Sequence, residues 1–144
     1  MELAPSASRN KVQMQSDLTD QEAVKQANQR FYEAFGALDL SGMDAAWDNS
    51  ERSLCVHPGW QPLVGWSRIR ESWQAILDNA TLMHFNIQYI NLVVAGDCAW
   101  VTCVENITSV LQGRADNFGV LATNIFVRSA PGWRMIVHHA SPRF

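Results

Sequence analysis

The sequence predicts an α+β domain. Apolar residues recur at three- and four-residue spacing through the first half of the chain, which is the period of a helix buried on one face. From Met83 they alternate instead, and turns at Ala95-Gly96-Asp97, near Gly113 and at Pro131-Gly132 divide the second half into four strands. Three helical segments followed by a four-stranded meander make the α+β order.

At 144 residues the chain has the size of one domain with one core. It is 47% hydrophobic and 17% charged, which leaves little room for long disordered stretches. A net charge of −3, with Lys and Arg scattered, offers no electrostatic footprint for nucleic acid or for an anionic membrane surface. Met1 to Ser16 lacks the apolar core of a secretory signal, and no run approaches the length of a membrane span, so the expected location is cytoplasmic. The three cysteines, Cys55, Cys98 and Cys103, contain no Cys-x-x-Cys pair and are read as reduced, mostly buried thiols. No metal and no cofactor are expected.

Residues 1–17, with Pro5 and several serines, read as a flexible leader, and the domain is expected over residues 18–144. Thr19 and Glu22 have capping-box spacing, so a long helix is expected from there. Ala23, Ala27, Phe31 and Phe35 form its stripe, with Val24, Ala34 and Leu38 beside them. Leu40, Met43 and Trp47 mark a brief second helix. Ser53 to His57 is β-favourable and ends at the turn Pro58-Gly59, giving a short strand. Trp66, Ile69, Trp73, Ile76 and Leu77 share one face of a third helix that ends near Asn79. Phe85, Ile87 and Tyr89 alternate with polar residues in the first long strand, and the others cover Cys98 to Val110, Asn117 to Arg128 and Trp133 to Ala140.

This order of elements resembles the nuclear transport factor two-like superfamily. The closing run Gly132-Trp133-Arg134-Met135-Ile136-Val137-His138-His139-Ala140-Ser141-Pro142 looks like the last strand of SnoaL-like and calcium/calmodulin-dependent kinase II association-domain-like proteins. Met43 to Trp47, His57-Pro58-Gly59 and the Gly65-Trp66 entry into the third helix look like the same group. The resemblance implies a cystatin-like cone, a curved antiparallel sheet wrapped around the long helix with two shorter helices. It covers the chain from Leu18 and does not choose a function, since isomerases, dehydratases, cyclases, hydrolases, transport adaptors and assembly domains share the scaffold.

Glu105 interrupts the apolar run Ala99 to Val104, and a carboxyl buried there needs a partner or a raised pKa, which makes it the candidate acid. The alternatives are a solvent-facing Glu105 or a pair with Arg134. His138 and His139 are adjacent in a strand, point to opposite faces and cannot chelate one metal together. Strict alternation from Trp133 through Met135 and Val137 turns His139 inward, either as a proton-transfer group or as a hydrogen-bonded core residue. Asn124 is placed to donate to a ligand oxygen, or to bond at an edge. Trp47, Trp73 and Trp133 read as core. Trp60 and Trp66 bracket a Pro-containing loop and are candidates for the pocket mouth. His57 is a third candidate polar group in the cavity, with a turn role as the alternative.

No phosphate loop, dinucleotide fingerprint, His-Glu-x-x-His, Gly-x-Ser-x-Gly or kinase loop is present in the sequence. The remaining readings are a domain binding a small apolar ligand, an assembly domain, or a small isomerase, dehydratase or cyclase using His139 and Glu105 as general acid and base. A homodimer through the sheet is expected. Cys98, Trp100 and Val104 share one face, Ala99, Val101 and Cys103 the other, and residues 120–127 are apolar on both faces apart from Thr123 and Asn124. Three helices cover one side of such a sheet and leave the other to a second copy.

Overall fold

The computed structural model describes the backbone of residues 6–143 and the side chains of residues 19–143. Its elements are α1 (Ser6–Gly36), α2 (Leu40–Ala46), β1 (Leu54–Val56), β2 (Leu63–Val64), α3 (Trp66–Asn79), β3 (Ala80–Ala95), β4 (Cys98–Leu111), β5 (Arg114–Ser129) and β6 (Gly132–Pro142). The α+β class and the four-strand meander stand as the sequence predicts.

Helix α1 begins at Ser6, well ahead of Thr19. Nothing between Ser6 and Phe35 is Gly or Pro, so the backbone runs straight through the capping-box residues. The first five residues of the expected leader lie outside the described residues.

The six strands form one curved sheet in the order β2-β1-β6-β5-β4-β3. The short strand β1 joins it in parallel, with Cys55 opposite His138, and β2 pairs with β1. Tight turns set the register of the meander. Gln112 and Gly113 both have positive φ, 52° and 80°, the pair of left-handed residues a two-residue hairpin with matching twist requires.

The concave face closes on the helices. Val24, Phe31 and Phe35 of α1, Met43 and Trp47 at α2, and Ile69 and Trp73 of α3 are buried against Val101, Val120, Ala122, Phe126 and Met135 of the sheet. Phe31 packs edge-on to Trp73 at 5.5 Å and to Trp47 at 6.3 Å between ring centres. At the other end Arg128 binds Asp20 and Asp97 and covers the Trp133 ring at 4.5 Å, tying α1 to the β3–β4 turn.

Two bulges change which face a side chain takes. In β3, Tyr89 pairs with Cys103 and Asn91 with Thr102, leaving Ile90 over. In β6, Met135 pairs with Phe126 and Val137 with Ile125, leaving Ile136 over. Trp133 and Met135 therefore point inward, but beyond the bulge the inward residues are His138 and Ala140. His139, expected inward from strict alternation, lies exposed on the convex face.

Candidate functional site

A carboxyl in mid-sheet is the centre of the site. Glu105 sits on the inner face of β4, 2% exposed, and accepts a 2.5 Å hydrogen bond from the Tyr32 hydroxyl of α1. It neither faces solvent nor pairs with Arg134. Burial raises its pKa to about 7, and the Tyr32 bond works against that rise. Tyr32 titrates well above its ordinary range, first because it is buried and then because of Glu105 and Cys103. The Cys103 thiol lies 3.5 Å from the same hydroxyl and is pushed up to about 11, mainly by burial.

Tyr32 connects the carboxyl to a buried polar chain. The Asn124 amide nitrogen lies 3.1 Å from the Tyr32 hydroxyl and 2.8 Å from Asn28 Oδ1, and the Asn28 amide nitrogen lies 3.3 Å from the Tyr89 hydroxyl. Asn124 Oδ1 is 2.6 Å from Nδ1 of His138. His138 is fully enclosed beside Phe31, and burial, with smaller effects of His57 and His139, lowers its pKa to about 3. It is a neutral imidazole at physiological pH.

Tyr32 and Tyr89 bring this polar chain to the lining of a groove. Between α1 and β3 runs an open groove of about 460 Å³, with Tyr32 at its floor, Met83, Phe85 and Ile87 along its wall, and Lys25 and Tyr89 at one end. The Lys25 ammonium lies over the Tyr89 ring, 5.1 Å from its centre. The β3 wall is apolar where Met83, Phe85 and Ile87 alternate toward the helix, the polar lining comes from Gln29, Tyr32 and Glu33 of α1 with His84, and Asn28, one turn before Tyr32, is fully buried behind it. Such a combination of apolar surface and few convergent polar groups is the usual composition of a small-molecule site.

The structure thus brings Glu105, Asn124 and His138 together and leaves the other candidates elsewhere. His57 is buried on the far side of Trp73, where its Nε2 meets Ser72 Oγ at 2.8 Å and burial lowers its pKa to about 4. Trp60 is 46% exposed, stands edge-on to His57 and borders shallow grooves along α3, away from the α1–β3 groove. Trp66 packs on Trp47 at 5.7 Å. Trp60 and Trp66 therefore do not frame one mouth: Trp60 lies over α3 beside Ala75 and Ile76, whereas Trp66 packs inward on Trp47. Tyr32, Asn28 and Tyr89 join the site without being among the sequence candidates. Their one signal was the polar pair Asn28 and Tyr32 at helical spacing beside the apolar stripe.

Among the described residues no group of three or more His, Cys, Asp or Glu side chains is arranged to hold a metal ion, and no helix is long and apolar enough to cross a membrane.

The profile of the family described as SnoaL-like domain matches residues 24–144. A proposed dehydratase of the NTF2-like family from Streptomyces avermitilis is 36% identical, with a TM-score of 0.82 over 88% of this chain and 97% of that one. A proposed calcium/calmodulin-dependent protein kinase type II association domain from Thiobacillus denitrificans is 30% identical, with a TM-score of 0.74 over 82% of this chain and 93% of that one. The F-box protein SKIP8 of Arabidopsis thaliana is 25% identical over 83% of this chain, which spans about half (49%) of that protein's length. With a polar floor inside a curved sheet and matches over most of its length, the chain belongs to the SnoaL-like domain family on the nuclear transport factor 2-like fold.

Proposed function

We propose that this domain binds a small, largely apolar molecule in the groove between α1 and β3. One observation carries the reading: Tyr32 lines a groove with an apolar β3 wall, and its hydroxyl is held by a buried carboxyl, Glu105, at 2.5 Å. Burying a carboxyl without a cation beside it costs stability, and such arrangements are concentrated at functional sites. The same pair supports the catalytic alternative. With a pKa near 7, Glu105 exchanges a proton at neutral pH and Tyr32 reaches the groove, so acid–base work falls to Glu105 and Tyr32, and not to the exposed His139. The Streptomyces relative's description as a proposed dehydratase favours this extension.

The test is to purify the protein, denature it and analyse released small molecules by mass spectrometry, alongside Ile87→Trp, which fills the groove. A molecule released from the parent and absent from Ile87→Trp supports the site. An identical load in both places the ligand elsewhere.

A second reading, assembly, concerns a different surface and is compatible with the first. Across the convex face Val93, Trp100, Ile125 and Val137 align in register over four strands, with exposed Leu121 nearby. A row of apolar side chains on a sheet face supports pairing with a second copy. The likeness to a proposed association domain points the same way.

A further inference from the structure

We propose that Tyr89 is the residue that selects the polar group of the bound molecule, presenting its hydroxyl to the groove as a donor when Glu105 is ionised and as an acceptor when Glu105 is protonated. The inference rests on the groove being the binding site. It follows from the connectivity of the buried polar chain, in which every member is limited by the number of donors it has.

With Glu105 ionised the carboxylate accepts only, so the Tyr32 proton must point at it. Tyr32 then accepts from the Asn124 amide, whose other N–H goes to Asn28 Oδ1. That orientation leaves Asn124 Oδ1 to accept from His138 Nδ1–H. Asn28 is fixed in turn with its amide nitrogen donating to the Tyr89 oxygen. Among the described residues the Tyr89 hydroxyl donates to no acceptor, and its proton is offered to the groove.

Protonation of Glu105 permits the opposite order with the heavy atoms in place. The carboxylic acid donates to the Tyr32 oxygen and Tyr32 donates to Asn124, both amides having turned over. Asn124 now gives an N–H to a bare Nδ1 of His138, whose proton has moved to Nε2 by exchange with water. Asn28 offers its oxygen to the Tyr89 proton, and Tyr89 shows the groove a lone pair. Each order gives every contact along the chain one donor and one acceptor, which is what allows one proton to choose between them.

The ionisable groups around the chain come from several elements. Tyr32 and Lys25 belong to α1, Cys55 to β1, Cys103 to β4, and His138 to β6, with His57 just after β1 and His139 behind His138 on the convex face. Glu33 of α1 and His84 of β3 line the groove itself. The buried thiols and Tyr32 are raised and the buried imidazoles lowered, so within the chain Glu105 is the member whose charge changes near neutrality. The preferred ligand near and above neutral pH is accordingly an apolar molecule bearing a carbonyl or comparable acceptor oxygen.

Two measurements on the full chain separate this proposal from the groove assignment. The first needs no ligand: nitrogen-15 NMR of His138 from about pH 5 to about pH 9. The neutral ring is expected to pass from the Nε2–H to the Nδ1–H tautomer as Glu105 ionises, in His84→Gln and His139→Gln as in the parent, and to show no transition in Glu105→Gln. The second compares acetophenone, an acceptor, with indole, a donor. Acetophenone is expected to bind about fivefold more tightly at the high-pH end and indole at the low-pH end, with Tyr89→Phe removing both dependences. A single His138 tautomer throughout, or a tautomer change that persists in Glu105→Gln, overturns the relay. Probe binding whose pH dependence survives Tyr89→Phe overturns the role of Tyr89. A tautomer change with neither probe binding at any pH leaves the relay intact and overturns the groove as the site.

Discussion

The hydroxyl of Tyr32 and the carboxyl of Glu105 meet at 2.5 Å across the interior, one from the long helix and the other from the middle of the sheet. No cation accompanies them among the described residues, so the carboxyl is stabilised by one phenol and otherwise carries the cost of burial. That cost appears as a proton affinity near neutrality, which a purely structural hydrogen bond does not require.

Removing the phenol oxygen should make this explicit. Tyr32→Phe takes a donor from Glu105 and an acceptor from Asn124 while keeping the ring packed against Phe31 and Phe85. The expected loss is roughly 1–3 kcal/mol by denaturant unfolding, since two buried groups each lose a partner. The Glu105 carboxyl should titrate higher still, because the Tyr32 bond lowers its pKa. Carbon-13 NMR of the glutamate carboxyls checks the direction, and a fall would contradict the assigned bond.

The stability of the protein should carry the sign of that titration. With a folded-state pKa raised from 4.5 to about 7, the contribution of Glu105 is fully present below about pH 4.5 and is lost as pH rises through about 7. The amount is of order 3 kcal/mol. His57 and His138 work oppositely: their pKa values are lowered from 6.5 to about 4 and about 3, so their contribution is present above about pH 6.5 and is lost on acidification. Glu105→Gln should therefore remove the decline between about pH 5 and 8 and leave the acid limb. Chemical denaturation at a series of pH values measures both limbs, and an unchanged high-pH decline in Glu105→Gln would assign it to other groups.

The two adjacent histidines give a direct test of the bulge. His138→Gln cuts a buried chain at Asn124 and empties part of the space beside Phe31, so a loss of about 1–3 kcal/mol is expected. His139→Gln alters an exposed position and should stay within about 0.5 kcal/mol. The reverse order would restore strict alternation in β6.

That bulge also explains where reading the sequence stopped. The elements α2, α3 and the four long strands followed from period and turn residues, and Glu105 and Asn124 stood out as polar groups in apolar strands. The inward histidine did not, because the extra residue, Ile136, is an ordinary strand former that leaves no mark in the pattern. Tyr32 and Asn28 were lost differently. On an amphipathic helix a polar residue beside the apolar stripe usually faces water, and only contacts distant in sequence, such as Asn28 with Asn124, turn it into part of a core.

The convex face supplies the remaining prediction. Strands that are wet on one side should show polar residues there, yet Val93, Trp100, Ile125 and Val137 lie side by side in register across β3, β4, β5 and β6. Val101 and Cys103, the alternate residues of β4, are already buried against the helices, so they contribute nothing to this face. Substitution should separate the two sides. Trp100→Glu or Ile125→Glu places a charge in the outer row and is expected to convert a dimer to a folded monomer in analytical ultracentrifugation at micromolar concentration. Val101→Glu buries an unpaired charge under α1 and should unfold the chain instead. A parent protein that sediments as a single species near 16 kDa would remove the need for a partner on this face. A dimer that survives both outer substitutions would place the interface on another surface, and the row would then have to be accounted for by packing within one sheet alone.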